Sequence, residues 1–152
     1  MNEIFVENEK KIKTGIRLVR EELFKLVFSV ELVQPSDDNL REALELYLNV
    51  NAEILTKWRE EDRNFLVSYI EGISNNYDYI KKIIVDSVDN WEFERISVVE
   101  RALLRIAVYE LVIEKKPIEI VANEAVELAK EYGEEKSYEF VNGVLAKIER
   151  AQ

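Results

Sequence analysis

The sequence predicts an all-α protein of about seven helices, arranged as two packed helical subdomains. Three observations carry this. Apolar residues recur at three- and four-residue steps along most of the chain. Only four Gly and two Pro punctuate its 152 residues, which favours long elements and few turns. No stretch alternates apolar and polar residues as a half-buried strand would, and only short β-branched runs such as Ile118 to Val121 interrupt the helical pattern.

The first helix is expected from Thr14 to about Leu32, with Ile16, Val19, Leu23, Val27 and Val30 on its apolar face. Pro35-Ser36-Asp37-Asp38 breaks the chain and signals a second helix start. That helix carries Leu40, Leu44, Tyr47, Leu48 and Leu55. The charged run from Lys57 to Arg63 reads as a turn into a third helix, which presents Phe65, Leu66, Tyr69, Ile70 and Ile73. Asn75-Asn76 marks the next break, and the fourth helix carries Ile80, Ile83, Ile84 and Val88.

Ser97-Val98-Val99-Glu100 has the capping-box pattern, a hydroxyl followed three residues on by a carboxylate. It starts a fifth helix with Val99, Leu103, Ile106 and Ile113 inward, and Ala102 and Tyr109 beside them. Pro117 separates this helix from the sixth, and Gly133 fits the position just past its end. Ser137 reads as the N-cap of the seventh, which turns Phe140, Val141, Val144, Leu145 and Ile148 inward. Short connections imply antiparallel neighbours. A looser seam near Asp89-Asn90 divides subdomains of about residues 1–89 and 90–152. The seam lacks linker composition, so residues 1–152 read as a single domain.

A chain of this length buries about 68–70% of the surface its unfolded form exposes. An apolar fraction of 47% argues against disorder. No apolar run approaches the ~20 residues of a membrane span. The opening MNEIFVENEKKIK has no apolar core of the signal-peptide kind, so a cytoplasmic location is expected.

The chain has no Cys and no His. Disulfides, thiolate metal sites and Cys nucleophiles are excluded. The commonest general base and the usual zinc ligand are missing too. There is no G-x-x-x-x-G-K-[ST] and no G-x-G-x-x-G. Glu134 and Glu135 are adjacent and do not converge as an acid/base pair. No catalytic residue, metal or cofactor is expected.

The net charge is −10, which favours solubility and repels nucleic acid at long range. A local reversal lies between Lys10 and Lys25, where Lys10, Lys11, Lys13, Arg17, Arg20 and Lys25 outnumber Glu21 and Glu22. That segment is +4 and the remainder −14. Charge alone leaves two readings, a solvated helix face and an anion-binding site. Arg17 and Arg20 lie about one turn apart and are expected to share a face.

Other positions also carry two readings. Asn142-Gly143 lies inside a helix, where Gly costs about 1 kcal/mol against Ala. Close approach of a neighbouring helix is the expected compensation, with ligand binding as the alternative. Asn123-Glu124 suits the positive end of a helix dipole. Phe24 and Phe28 share a helix face, and an exposed Phe28 would suit a protein partner. Glu94 and Glu100 flank a helix start and serve either capping or a basic partner.

Three C-terminal stretches carry a resemblance: ERALLRIAVYEL at Glu100–Leu111, NEAVELAKEYG at Asn123–Gly133 and YEFVNGVLAKI at Tyr138–Ile148. Their order, spacing and wording resemble the NusB family of bacterial transcription antitermination factors. Arg17, Arg20-Glu21 and Phe28 fall where that family has a basic run, Arg-Glu and an aromatic; residues 32 to 90 agree only in helical character. The resemblance implies two three-helix bundles with an extra helix, and no enzymatic activity. It implies pairing with the NusE ribosomal protein, binding of boxA RNA, and read-through by the transcription elongation complex, above all in ribosomal RNA operons. It assigns Lys13, Arg17, Arg20, Tyr132 and Lys136 to RNA, and Phe28, Glu94 and Glu100 to the protein partner. It also allows a homodimer covering the first helix. Consecutive arginines are replaced here by Ile16-Arg17-Leu18, with positive charge displaced upstream to Lys10, Lys11 and Lys13. Two other readings remain: the NusB-like domain of an RNA cytosine methyltransferase, which requires a catalytic domain beyond Gln152, and a helical adaptor without RNA contact.

Overall fold

The structure, a computed structural model, describes residues 15–88 and 92–152. Lys10, Lys11, Lys13 and the Asp89-Asn90 seam lie outside those residues. Among the described residues there are eight α-helices and no strand. They are α1 (Ile16–Val33), α2 (Asp37–Val50), α3 (Ala52–Leu55), α4 (Glu60–Asn75), α5 (Tyr77–Ser87), α6 (Val98–Val108), α7 (Ile118–Tyr132) and α8 (Ser137–Arg150). A 3₁₀ turn at Phe93–Arg95 precedes α6, and a single π turn at Tyr109–Ile113 extends it.

The eighth helix comes from a split in the second expected one. Asn51 ends α2, where its side-chain amide donates to the Tyr47 carbonyl at 2.9 Å, and α3 follows as a single turn. The charged run from Lys57 is a turn only as far as Arg59. Glu60, Glu61 and Asp62 form the first turn of α4, where carboxylates complement the helix dipole.

Three cap expectations meet different outcomes. The Ser36 hydroxyl accepts from the Asn39 N–H at 3.0 Å, and Ser97 accepts from the Glu100 N–H at 3.2 Å, so both cap as expected. Ser137 does not cap α8. It lies inside the helix, is buried, and its hydroxyl accepts from the Glu134 N–H at 3.0 Å, which closes the preceding turn. Gly133 ends α7 in an extended conformation. A Cβ there would lie 2.7 Å from the Ala129 carbonyl oxygen and 2.7 Å from Ser137 Cβ, so close contact requires the glycine.

Helix α1 is the hub. It packs against α2 and α4 on one side and α6 on the other. Helix α6 also meets α5, α7 and α8, and α7 pairs closely with α8. One apolar cluster runs from Val19 through Leu103 to Ile148, so the core continues across both sets of helices. Ile106 and Val144 are buried as expected, in one cluster with Leu128, whereas Phe140 is half-buried against that cluster. Gly143 differs. It is exposed, and a Cβ there would meet nothing within 4 Å. The close helix approach occurs at Gly72 of α4, where a Cβ would fall 2.3 Å from the Tyr109 hydroxyl.

Candidate nucleic-acid interface

Arg17 and Arg20 lie on α1 but do not share an environment. The Arg17 side chain is 55% exposed and its guanidinium lies 3.9 Å from Glu127 of α7. Arg20 is only 8% exposed. It donates two hydrogen bonds to the Glu110 carboxylate, at 3.1 and 2.7 Å, and lies 5.4 Å from the Phe65 ring centre. Of the two arginines expected at RNA, Arg17 is thus the exposed one, and Arg20 has its guanidinium bound to a buried carboxylate. Burial disfavours its charge, but the hydrogen bond and the charges of Glu110 and Glu124 prevail and raise its pKa. Burial opposes the Glu110 charge as well, but the hydrogen bonds from Arg20 and Tyr69 and the charges of Arg20 and Lys116 together outweigh it, holding that carboxyl below its usual range. Tyr69 donates to the same carboxylate at 2.7 Å, and Lys116 lies 3.3 Å away.

The cleft between α1 and α7 encloses about 380 Å³. Glu21, Glu124, Glu127 and Glu131 line it beside Arg17 and Arg20. Four carboxylates against two guanidiniums make it a poor seat for a phosphate.

Tyr132 ends α7 and is half-buried. Its ring lies 4.9 Å from that of Phe24, and Phe24 lies 5.8 Å from Phe28. Tyr132 and Phe28, one expected at RNA and the other at a protein partner, are thus joined through one buried ring. Burial, then the charges of Glu21 and Glu131, raise the Tyr132 pKa, so the phenol stays a neutral donor. Lys25 interacts electrostatically with that phenol and its side chain is 58% exposed. Lys136 is exposed at the turn between α7 and α8. Lys25 counted in the charge of the basic segment, but sequence reasoning did not single it out as a site residue. Its place follows from which side of α1 meets the end of α7.

Glu94 and Glu100 sit before and within the first turn of α6. Glu94 is exposed, 3.6 Å from Lys81. Arg101 draws this region to the end of α1. It donates to the backbone carbonyls of Glu94 and Ile96 at 3.2 and 2.9 Å, and lies 3.5 Å from the Glu31 carboxylate. Glu31 is buried and also accepts from Arg105 and, at 3.1 Å, from Tyr77. The Arg105 guanidinium lies 3.6 Å above the centre of the Tyr77 ring. Sequence reasoning missed the two most deeply buried carboxylates, Glu31 and Glu110, each 2% exposed. The local signal was a charged residue inside an apolar run, FSVEL and VYELV, which points to burial without naming the partner.

Among the described residues no cluster of carboxylates could hold a metal, and no helix is long and apolar enough to cross a membrane. The fold and surface define a helical binding protein with an aromatic and basic edge beside an acidic flank. Comparisons with known proteins agree with that class. The model of the NusB family matches residues 17–150. The transcription antitermination protein NusB of Fusobacterium nucleatum is 53% identical over 152 residues, covering 100% of this chain and 99% of that protein. The NusB of Pseudothermotoga lettingae is 37% identical, covering 88% of this chain and 89% of its own. A crystal form of T. maritima NusB superposes with a TM-score of 0.73 at 35% identity, covering 90% of this chain and 92% of that one. The structure of antitermination factors NusB and NusE in complex with dsRNA gives a TM-score of 0.69 at 24% identity, over 88% and 95% of the two chains, and speaks for the fold alone. The chain belongs to the NusB family.

Proposed function

We propose that this chain acts in transcription antitermination by pairing with the NusE ribosomal protein and binding boxA RNA, in the cytoplasm and within the transcription elongation complex. The observation that carries the reading is the 53% identity to Fusobacterium nucleatum NusB along the whole chain. It works by binding and carries out no chemistry. Arg17, Tyr132 and Lys136, with Lys13 upstream, serve the RNA. Phe28, Glu94 and Glu100 serve NusE. Arg20 acts from within, by fixing α1 to the π turn.

The local geometry supports one continuous surface for two ligands. Phe24 touches both Tyr132 and Phe28, and Arg101 ties the end of α1 to the turn that holds Glu94. A basic partner on the acidic flank would offset the negative potential that opposes RNA. The test is binding of labelled boxA RNA to the purified chain with and without NusE. The expected result is weak binding alone and tight, boxA-selective binding for the pair. Equal RNA affinity with and without NusE removes the cooperative reading.

A further inference from the structure

We infer that the apolar groove between the start of α1 and the α3–α4 turn is the docking site of this chain's own N-terminal segment, with Ile4, Phe5 and Val6 as the occupants. The groove encloses about 780 Å³ and is lined by Leu18 and Val19 of α1, Ile54 of α3, and Trp58 of the turn. That volume suits several bulky side chains. The lining residue Ile54 is 59% exposed, and Leu46 and Val50, which precede it on α2, are 65% and 72% exposed. Leu46 and Val50 lie one turn apart on α2, and Ile54 follows on α3 beyond the break at Asn51.

Three observations select the occupant. The chain reaches the groove at Gly15, which lines it. Gly15 has φ of 77°, and a Cβ there would lie 3.1 Å from Arg59 Nη2, so the entry to α1 is held against the rim. The segment before it contains one apolar cluster, Ile4-Phe5-Val6. Phe5 is near enough along the chain, since residues span up to about 3.3–3.6 Å each when extended. Charge adds to this at one position. Glu3, Glu7 and Glu9 flank the apolar cluster, and Lys57 lines the groove beside Arg59, which is itself paired with Asp62 and Glu61.

Docking has a consequence for the displaced basic run. Lys10, Lys11 and Lys13 lie between Phe5 and Gly15 in sequence. A segment fixed at both ends would hold those lysines beside Arg17 at reduced entropic cost on binding an anion. That consequence rests on the proposed RNA function, whereas the docking itself does not.

The test uses the full chain in a Trp91→Phe background, which leaves Trp58 as the single tryptophan. Phe5→Ser and deletion of residues 2–9 should each red-shift Trp58 emission and increase its quenching by acrylamide. Cross-relaxation between the Phe5 ring and the Trp58 indole should be visible in the parent protein and lost in both variants. A synthetic peptide of residues 1–9 added to the deleted chain should restore the blue-shifted emission. Trp58 emission unchanged by either variant, with no Phe5–Trp58 cross-relaxation, overturns the proposal and leaves the groove to an external partner. A Trp58 signal that appears only as protein concentration rises also overturns it, since the segment would then come from a second copy. RNA affinity is measured separately. Its failure to respond while the Trp58 signal responds would retire the consequence and keep the docking.

Discussion

Arg20 and Glu110 stand 90 residues apart in sequence and meet through two hydrogen bonds, with Glu110 accepting on both carboxylate oxygens. The pair fastens α1 to the π turn after α6. A π turn adds one residue to the helical repeat, and the Glu114 N–H accordingly donates to the Tyr109 carbonyl at 3.0 Å. Glu110 lies within that turn and points into the interior, where Arg20, Tyr69 and Lys116 surround its carboxylate.

Breaking this pair from one side leaves a buried charge without its partner. Arg20→Ala should destabilise the fold by about 3–5 kcal/mol. Replacing both residues by apolar ones of similar size should cost less, since neither charge then remains. Urea unfolding of the single and double variants checks this. Comparable losses in both would show that packing of the Arg20 stem, and not its charge, matters.

The same carboxylate predicts an acid limb. Burial pushes the Glu110 pKa up, but the hydrogen bonds from Arg20 and Tyr69 with the charges of Arg20 and Lys116 together hold it below its ordinary value of 4.5 in the folded state. Its ionised form therefore stabilises the fold above pH 4.5, and that contribution disappears as pH falls through the lower, folded value. Glu110→Gln should flatten the loss of stability with pH in that window. Thermal unfolding between neutral pH and the acid limb gives the comparison.

Glycine positions make an opposed pair of predictions. Gly72→Ala forces a methyl group into the Tyr109 ring and should destabilise by about 1–3 kcal/mol. Gly143→Ala adds a methyl group to open surface within a helix and should stabilise by up to about 1 kcal/mol. The sequence invites the opposite assignment, because Gly143 is the glycine that sits in the middle of a strongly periodic segment. Periodicity reports which way a side chain faces along its own helix, and for that purpose it served well: Val19, Leu23, Val27, Leu103 and Val141 are all buried. It does not report which neighbouring helix comes close. The two arginines of α1 show the same boundary. A three-residue step turns a helix by about 60° short of a full circle, enough to put Arg17 in solvent and Arg20 at the edge of the apolar stripe. Only the fold could bring Glu110 to meet it. The Ser97 cap and the Ile106 core were legible because their partners lie nearby or follow from the apolar pattern, whereas the buried ion pairs join residues distant in sequence.

Core packing can be tested at Leu103, which is 1% exposed. Leu103→Ala should cost about 2–5 kcal/mol. A change under half a kcal/mol, measured by urea unfolding, would contradict its burial between α1 and the C-terminal helices.

For the partner face, Glu94→Lys/Glu100→Lys should weaken NusE binding while circular dichroism stays helical. Glu100 also lies in the first turn of α6, where a carboxylate favours the helix dipole, so stability is measured beside affinity. Unchanged affinity in the folded double variant would assign both residues to capping and solvation.

RNA binding should depend on salt and on the exposed cations alone. Arg17 and Lys136 are exposed, whereas Arg20 is committed to Glu110. If about three phosphates are neutralised, log affinity for single-stranded RNA should fall with log salt at a slope near −2. Arg17→Ala/Lys136→Ala, measured with NusE present, should weaken binding and make that slope shallower, because each lost phosphate contact releases fewer counterions. Screening sharpens the contrast. At 0.1 M salt the Debye length is about 10 Å, so contacts at the basic edge act locally while repulsion from the −14 remainder of the chain is damped. Lowering salt should therefore strengthen the local contacts and the repulsion together, and a basic NusE should relieve the second without altering the first. A titration in which wild type and double variant share one affinity and one slope would take α1 and the α7–α8 turn out of the RNA site.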